Sequence, residues 1–249
     1  MSEKTAPPRK PRPRRPLPRI TRRRVLGAGV VVLAAVGGGV GIVTLTPPDP
    51  LTYYNAALPY RLEDVRQGAA VPRVFIPRLN PPLAGIEDEN RRKDVFLRIL
   101  LPLVLAANER RAPVRRIPVA MALAQGAIES GWGTARFSIE GNAIFGQRTW
   151  DKDVPGVAPR DAGGDFRVQA FDSLMASVEG YMQNLNTHPK YATFREARKN
   201  LLAAGQTPTA RALLPHITAY SEEGRTYIAK VMATIGENRL TDFAAARLK

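Results

Sequence analysis

The sequence predicts a mainly α (α+β) domain preceded by a membrane segment, and three observations predict it. Apolar side chains recur at helical spacing in five stretches between residues 94 and 235. One short stretch, Phe166 to Phe171, alternates as a strand does. A basic cluster near the start is followed by an uncharged run from Val25 to Leu45.

The first 24 residues hold ten Lys or Arg against Glu3 alone, so +9 of the net charge of +15 sits there and +6 is spread over the remainder. A Pro- and Arg-rich stretch cannot bury apolar area, so residues 1–24 are expected to be a disordered cytoplasmic tail. The tail lacks interleaved aromatic residues and runs straight into an apolar segment, which favours a topogenic role over nucleic-acid binding. Thr21-Arg22-Arg23-Arg24-Val25-Leu26 resembles a twin-arginine export signal. Residues 25–45 would be about 30 Å long as a helix, enough to span the hydrocarbon core as a signal or transmembrane segment. Six glycines inside it weaken it as an anchor. The positive flank would keep the tail in the cytoplasm and send the rest outward, so the expected location is the bacterial inner membrane facing the periplasm, or the periplasm after export.

Residues 46–92 are rich in proline and are expected to form a linker that becomes ordered as it reaches a domain at 93–249, with Arg73 to Pro77 lying along it as an extended segment. From Asp94 to Arg110 the stripe Val95, Ile99, Leu103 and Ala106 predicts a helix, bent at Pro102. Val119 to Ile128 carries no charge and one polar side chain, Gln125, so a helix there is apolar on nearly every side and buried. Arg148 to Gly164 has no apolar period and predicts a loop or short hairpin. Asp172 is a suitable N-cap for a helix with Leu174, Val178, Tyr181 and Leu185 on one face; Tyr191, Phe194, Ala197 and Leu201 form another stripe. A short helix follows Pro208. Ser221 is expected to cap the last helix, with Glu222 and Glu223 in its first turn and Tyr227, Val231, Met232 and Ile235 facing inward.

Chemistry concentrates where the buried run ends, at Glu129. A carboxyl that loses water on one side and faces a cleft on the other has its pKa raised, which a general acid requires near neutral pH. The plain alternative is a solvated glutamate at a helix end. Glu129-Ser-Gly-Trp132-Gly after an Ala/Gln-rich helix, then Asn142-Ala-Ile-Phe145-Gly, resembles the N-acetylglucosaminidases of the flagellar-rod and Bax-like type, within the lysozyme-like superfamily. The likeness continues in Arg167 to Tyr191, with its Asn-Leu-Asn-Thr-His-Pro-x-Tyr block, and in Leu214 to Ile228, so that it covers roughly residues 93–240 in family order.

The resemblance implies a lysozyme-like glucosaminidase domain with a small β element beside the cleft, and an endo-β-N-acetylglucosaminidase acting on the glycan strands of peptidoglycan, with Glu129 as acid. It also implies a second carboxylate on the β element, where Asp161 and Asp165 are the nearest residues although both suit turns beside Gly163-Gly164. The sugar's own acetamide oxygen is the alternative. Tyr220 is a candidate catalytic phenol, and Trp132, Asn142, Phe145, Gln147 and Tyr191 are candidate substrate contacts. A lytic transglycosylase and a non-catalytic wall-binding protein are the competing classes. With no cysteine and two histidines the chain has neither thiol nucleophile nor disulfide, and no metal site or cofactor is expected. A monomer is expected.

Overall fold

The computed structural model describes residues 30–36, 39–45, 48–160 and 165–249. It divides into two units, residues 1–47 and 48–249. In the first, β1 (Val30–Val36) pairs antiparallel with β2 (Gly39–Leu45), running from Val30 opposite Leu45 to Val36 opposite Gly39. Within the segment expected to span a membrane as a helix, residues 30–36 and 39–45 thus form two strands. Its valines lose side-chain freedom in a helix and fit a pleated surface, and its glycines cost about 1 kcal/mol each in a helix interior. No helix among the described residues is long and apolar enough to cross a membrane. The basic tail 1–24, with Arg22 to Arg24, lies outside the described residues.

The second unit begins earlier than the sequence led us to expect. In place of a linker, residues 48–92 contain α1 (Pro50–Ala57), α2 (Leu62–Arg66) and a 3-10 turn at Leu83–Gly85. Asp49 caps α1 by accepting from the Thr52 backbone N–H at 2.8 Å. Tyr54, Leu58, Leu62, Val65, Val71, Leu79 and Leu83 from this stretch are all buried in the main core. The Tyr54 hydroxyl donates to the Pro81 carbonyl at 2.8 Å. Residues Arg73 to Pro77 contribute the buried Ile76 and the partly buried Val74.

Among its described residues the second unit is mainly helical with one small sheet. After α3 (Glu89–Glu109), capped by Asp88, comes α4 (Val119–Ser130), buried from Ala120 to Ala127. Pro102 lies within α3, and the expected stripe Val95, Ile99, Leu103 and Ala106 is buried. Gly126 is what lets α4 approach its neighbours. A Cβ there would lie 2.7 Å from Leu100 Cδ2 and 3.2 Å from Ile144 Cγ2. A short α5 (Arg136–Gly141) leads to β3 (Arg148–Thr149), β4 (Gly156–Val157) and β5 (Arg167–Gln169), an antiparallel sheet in the order β3-β5-β4. The helices α6 (Leu174–Thr187), α7 (Ala192–Ala203), α8 (Ala210–Leu213) and α9 (Arg225–Glu237) complete the unit. α4 packs against both α3 and α9, at the centre of the unit.

Two capping assignments differ from expectation. α6 is capped by Ser173, whose Oγ accepts from the Ala176 N–H at 3.1 Å, and not by Asp172. Ser221 does not cap α9. The chain turns through Gly224, at φ 54°, and the helix starts one residue later, so Glu222 and Glu223 stay in an exposed turn ahead of it.

Candidate active site

The end of α4 is built to stop abruptly. Gly131 caps it in the left-handed conformation (φ 55°, ψ 46°), and Trp132 and Gly133 also have positive φ. Ser130, fully buried, donates from Oγ to the Gly126 carbonyl at 2.6 Å and accepts from the Gly133 N–H at 2.9 Å. Glu129 therefore sits in the last turn of a buried helix, half-buried, with its carboxyl in a cleft of about 710 Å³. The cleft is lined by Phe145 to Arg148 and Trp150, by Gln169 of β5, by Asn184, His188, Lys190 and Tyr191, and by Ala219 to Glu223.

Burial pushes the Glu129 carboxyl above its ordinary value. The neighbouring Tyr227 phenol acts the other way by favouring the charged form; the Glu223 charge adds a smaller upward push and Arg148 a smaller downward one. Tyr227 is itself held by a polar chain within the core. The Tyr181 hydroxyl donates to Gln125 Oε1 at 2.8 Å, and Gln125 Nε2 donates to the Tyr227 oxygen at 3.0 Å. The one polar side chain of the buried run thus links two tyrosines and, through Tyr227, the carboxyl. Tyr227 stacks on Tyr220 (5.5 Å, 14°), and Phe145 stacks on Tyr181 (3.9 Å, 9°). Burial raises the pKa of Tyr181, Tyr191, Tyr220 and Tyr227, so these phenols remain protonated hydrogen-bond donors around the carboxyl.

Of the residues singled out in the sequence, Glu129, Tyr220, Phe145, Gln147 and Tyr191 come together around the cleft. The Tyr220 hydroxyl donates to the Phe145 carbonyl at 3.2 Å. Gly146 allows this strand of chain to pass the carboxyl, since a Cβ there would lie 3.2 Å from Glu129 Oε2 and its φ is 60°.

Trp132 and Asn142 do not line the cleft. The left-handed turn sends the Trp132 ring back onto Phe96, edge to face at 5.8 Å, with Lys93 Nζ 5.2 Å above it. Asn142 is buried and ends α5 at φ 52°, its amide donating to the Phe171 carbonyl at 2.7 Å. Asp165 is exposed and does not line the cleft, and Asp161 lies outside the described residues.

Other cleft residues escaped the sequence analysis. Trp150, 66% exposed beside the cleft, offers the aromatic face expected of Trp132; an exposed tryptophan in a polar loop was its signal. Among the described residues the sheet supplies Arg148, Trp150 and Gln169 to the cleft but no carboxylate. Besides Glu129 the cleft carboxylates are Glu222, paired with Arg148 at 3.1 Å, and Glu223, paired with Lys230 at 2.6 Å. No group of three or more His, Cys, Asp or Glu side chains able to hold a metal lies among the described residues.

Comparison with known proteins adds three findings. Residues 107–240, just over half of the chain, match the family described as mannosyl-glycoprotein endo-beta-N-acetylglucosaminidase. The chain is 35% identical over 123 residues to Protein bax of Escherichia coli (strain K12), covering 49% of this chain and 43% of that protein. It therefore spans less than half the length of that relative. Among solved structures, the catalytic domain of the autolysin Auto from Listeria monocytogenes aligns with 74% of this chain and 98% of its own, at a TM-score of 0.44 and 16% identity.

Proposed function

Because this chain belongs to the mannosyl-glycoprotein endo-beta-N-acetylglucosaminidase family, with a Bax-like glucosaminidase domain, we propose that it is a peptidoglycan hydrolase cutting the glycan strand at N-acetylglucosamine, with Glu129 as general acid. The observation that carries this reading is the Glu129 carboxyl itself, which lines a cleft of about 710 Å³ and which burial keeps protonated to higher pH than an ordinary glutamate. In this role it protonates the leaving glycosidic oxygen as the C–O bond breaks.

The developing positive charge at the sugar carbon then needs a partner. The sheet brings no carboxylate to the cleft among the described residues, and Glu222 and Glu223 sit in the exposed turn ahead of α9, where water solvates them; this favours attack by the substrate's own acetamide oxygen. Tyr220 would steady that group by hydrogen bonding, with Phe145, Gln147 and Tyr191 as walls and Trp150 as the stacking face. The same lack of a second carboxylate favours, as a second reading, a lytic transglycosylase that uses Glu129 alone. Mass spectrometry of the products from purified wall separates the readings. Reducing N-acetylglucosamine ends are expected; anhydromuramic ends would establish the lyase, and an uncut wall would leave a binding protein.

The reading includes delivery to the outer face of the membrane through residues 25–45, supported by the uncharged run directly after Arg22-Arg23-Arg24. Export is expected to fail when Arg22→Lys, Arg23→Lys and Arg24→Lys are combined. Export of that variant at the wild-type rate would exclude the twin-arginine route.

A further inference from the structure

The cleft holds two cations that the acid mechanism does not use. Arg148 on β3 and Lys190 in the 3-10 turn Pro189–Tyr191 both line it together with Glu129. They feel one another, since Lys190 is held below its ordinary value first by desolvation and then by the Arg148 guanidinium. Lys190 forms no ion pair among the described residues. Its Nζ lies 5.0 Å over the Tyr191 ring. The Glu222 partner of Arg148 is 88% exposed in its side chain, and an exposed pair of this kind is easily exchanged for another carboxylate.

Two cations facing one cleft repel each other, and an anion seated between them removes that repulsion. A guanidinium presents a planar fork that fits a carboxylate, and an ammonium adds a point charge beside it. In a peptidoglycan strand the sugar alternating with N-acetylglucosamine carries a lactyl ether. Its carboxyl is free on peptide-stripped strands and converted to an amide where a stem peptide, with carboxylates of its own, is attached. We propose that Arg148 and Lys190 form a subsite for the carboxylate on the muramyl substituent of the sugar beside the scissile bond, so that the cleft selects strands by the charge of that substituent. This rests on the glycan-strand reading above and names the feature of the strand that is recognised.

The test is binding to the Glu129→Gln protein, which holds strands without needing to cut them. Four ligands are compared: peptide-stripped strands, the same strands with their lactyl carboxyls converted to methylamides, and peptide-bearing strands with and without methylamidation. Neutralising the lactyl carboxyl is expected to raise Kd about tenfold, the scale of one good charge-assisted contact. Adding Arg148→Gln with Lys190→Gln is expected to bring charged and neutral strands to one Kd, while Arg148→Lys with Lys190→Arg retains the preference. Retention of the cooperative thermal transition shows that each variant folds. A preference confined to peptide-bearing strands, and lost on their methylamidation, supports the subsite with the stem as the source of the carboxylate. Equal Kd for the charged and neutral forms of both the stripped and the peptide-bearing strands, or a preference that survives the double glutamine variant, overturns it. Failure of the hydrolase reading would show separately, as wall left uncut by the unmutated protein.

Discussion

Tyr227→Phe tests whether the buried polar chain behind Glu129 sets the working state of the acid. The substitution removes one oxygen and leaves the ring stacked on Tyr220. Two groups are affected: Gln125 Nε2, in a side chain with no exposed surface, loses its acceptor, and the Glu129 carboxyl loses the phenol that favours its charged form. A buried donor left unsatisfied costs about 1–3 kcal/mol, which for a folded unit of this size lowers Tm by roughly 2–12 °C. The pH effect has a definite sign. The phenol stabilises the carboxylate form, so without it the proton is held to higher pH, and the alkaline limb of kcat/KM moves up. Stability follows by linkage. A folded-state carboxyl raised above the ordinary 4.5 binds a proton that the unfolded chain releases, so stability falls as pH rises from the unfolded value through the folded one, and it falls further in the variant. Thermal melts across pH, together with a kcat/KM profile on isolated wall, read both quantities. An alkaline limb that stays put or moves down would refute the coupling, whatever happens to Tm.

A chain beginning at Pro48 should melt cooperatively, whereas one beginning at Lys93 should not. The longer deletion strips Tyr54, Leu58, Leu62, Val65, Leu79 and Leu83 from the core, at about 1.5–3 kcal/mol for each large side chain against a total stability of about 5–15 kcal/mol. A cooperative melt from the shorter chain at an unchanged temperature would contradict the packing described for residues 48–92. Gly146→Ala should cost about 1–2 kcal/mol for its left-handed backbone and should lower kcat by crowding Glu129 Oε2; a kcat equal to that of the unmutated protein would show that the carboxyl has room to move.

The helices carrying the site were legible in the sequence because their apolar periods are long and their faces are buried, α4 above all. Glu129 was legible for the same reason, since an uncharged run that ends in one carboxylate puts that carboxylate at the edge of the core, where it is half desolvated. What escaped depends on tertiary contacts or on single backbone angles. Residues 48–92 lack a period because they bury isolated anchors from short helices and turns, so their prolines suggested a linker. Trp132 stands three residues after Glu129, yet the left-handed run 131–133 turns its ring away from the cleft, and no spacing rule carries that information. Trp150, Arg148 and Lys190 reach the cleft only through the pairing of β3 with β5 and the turn after α6. Ser221-Glu222-Glu223 has the composition of a helix start, but Gly224 delays the helix and leaves both glutamates beside the cleft. The run 25–45 met the length of a spanning helix, while its valine and glycine content suits the strands observed.

The central claim is that Glu129 supplies the proton that cleaves the glycan, and the most direct measurement is the rate at which Glu129→Gln releases fragments from purified wall. The amide keeps the size of the side chain and its place beside Tyr227 while removing the transferable proton. General acid catalysis contributes about 10²–10⁴-fold, so a loss of that order is expected, with the thermal transition and glycan binding retained. A folded Glu129→Gln protein that cuts wall at close to the unmutated rate would contradict the account.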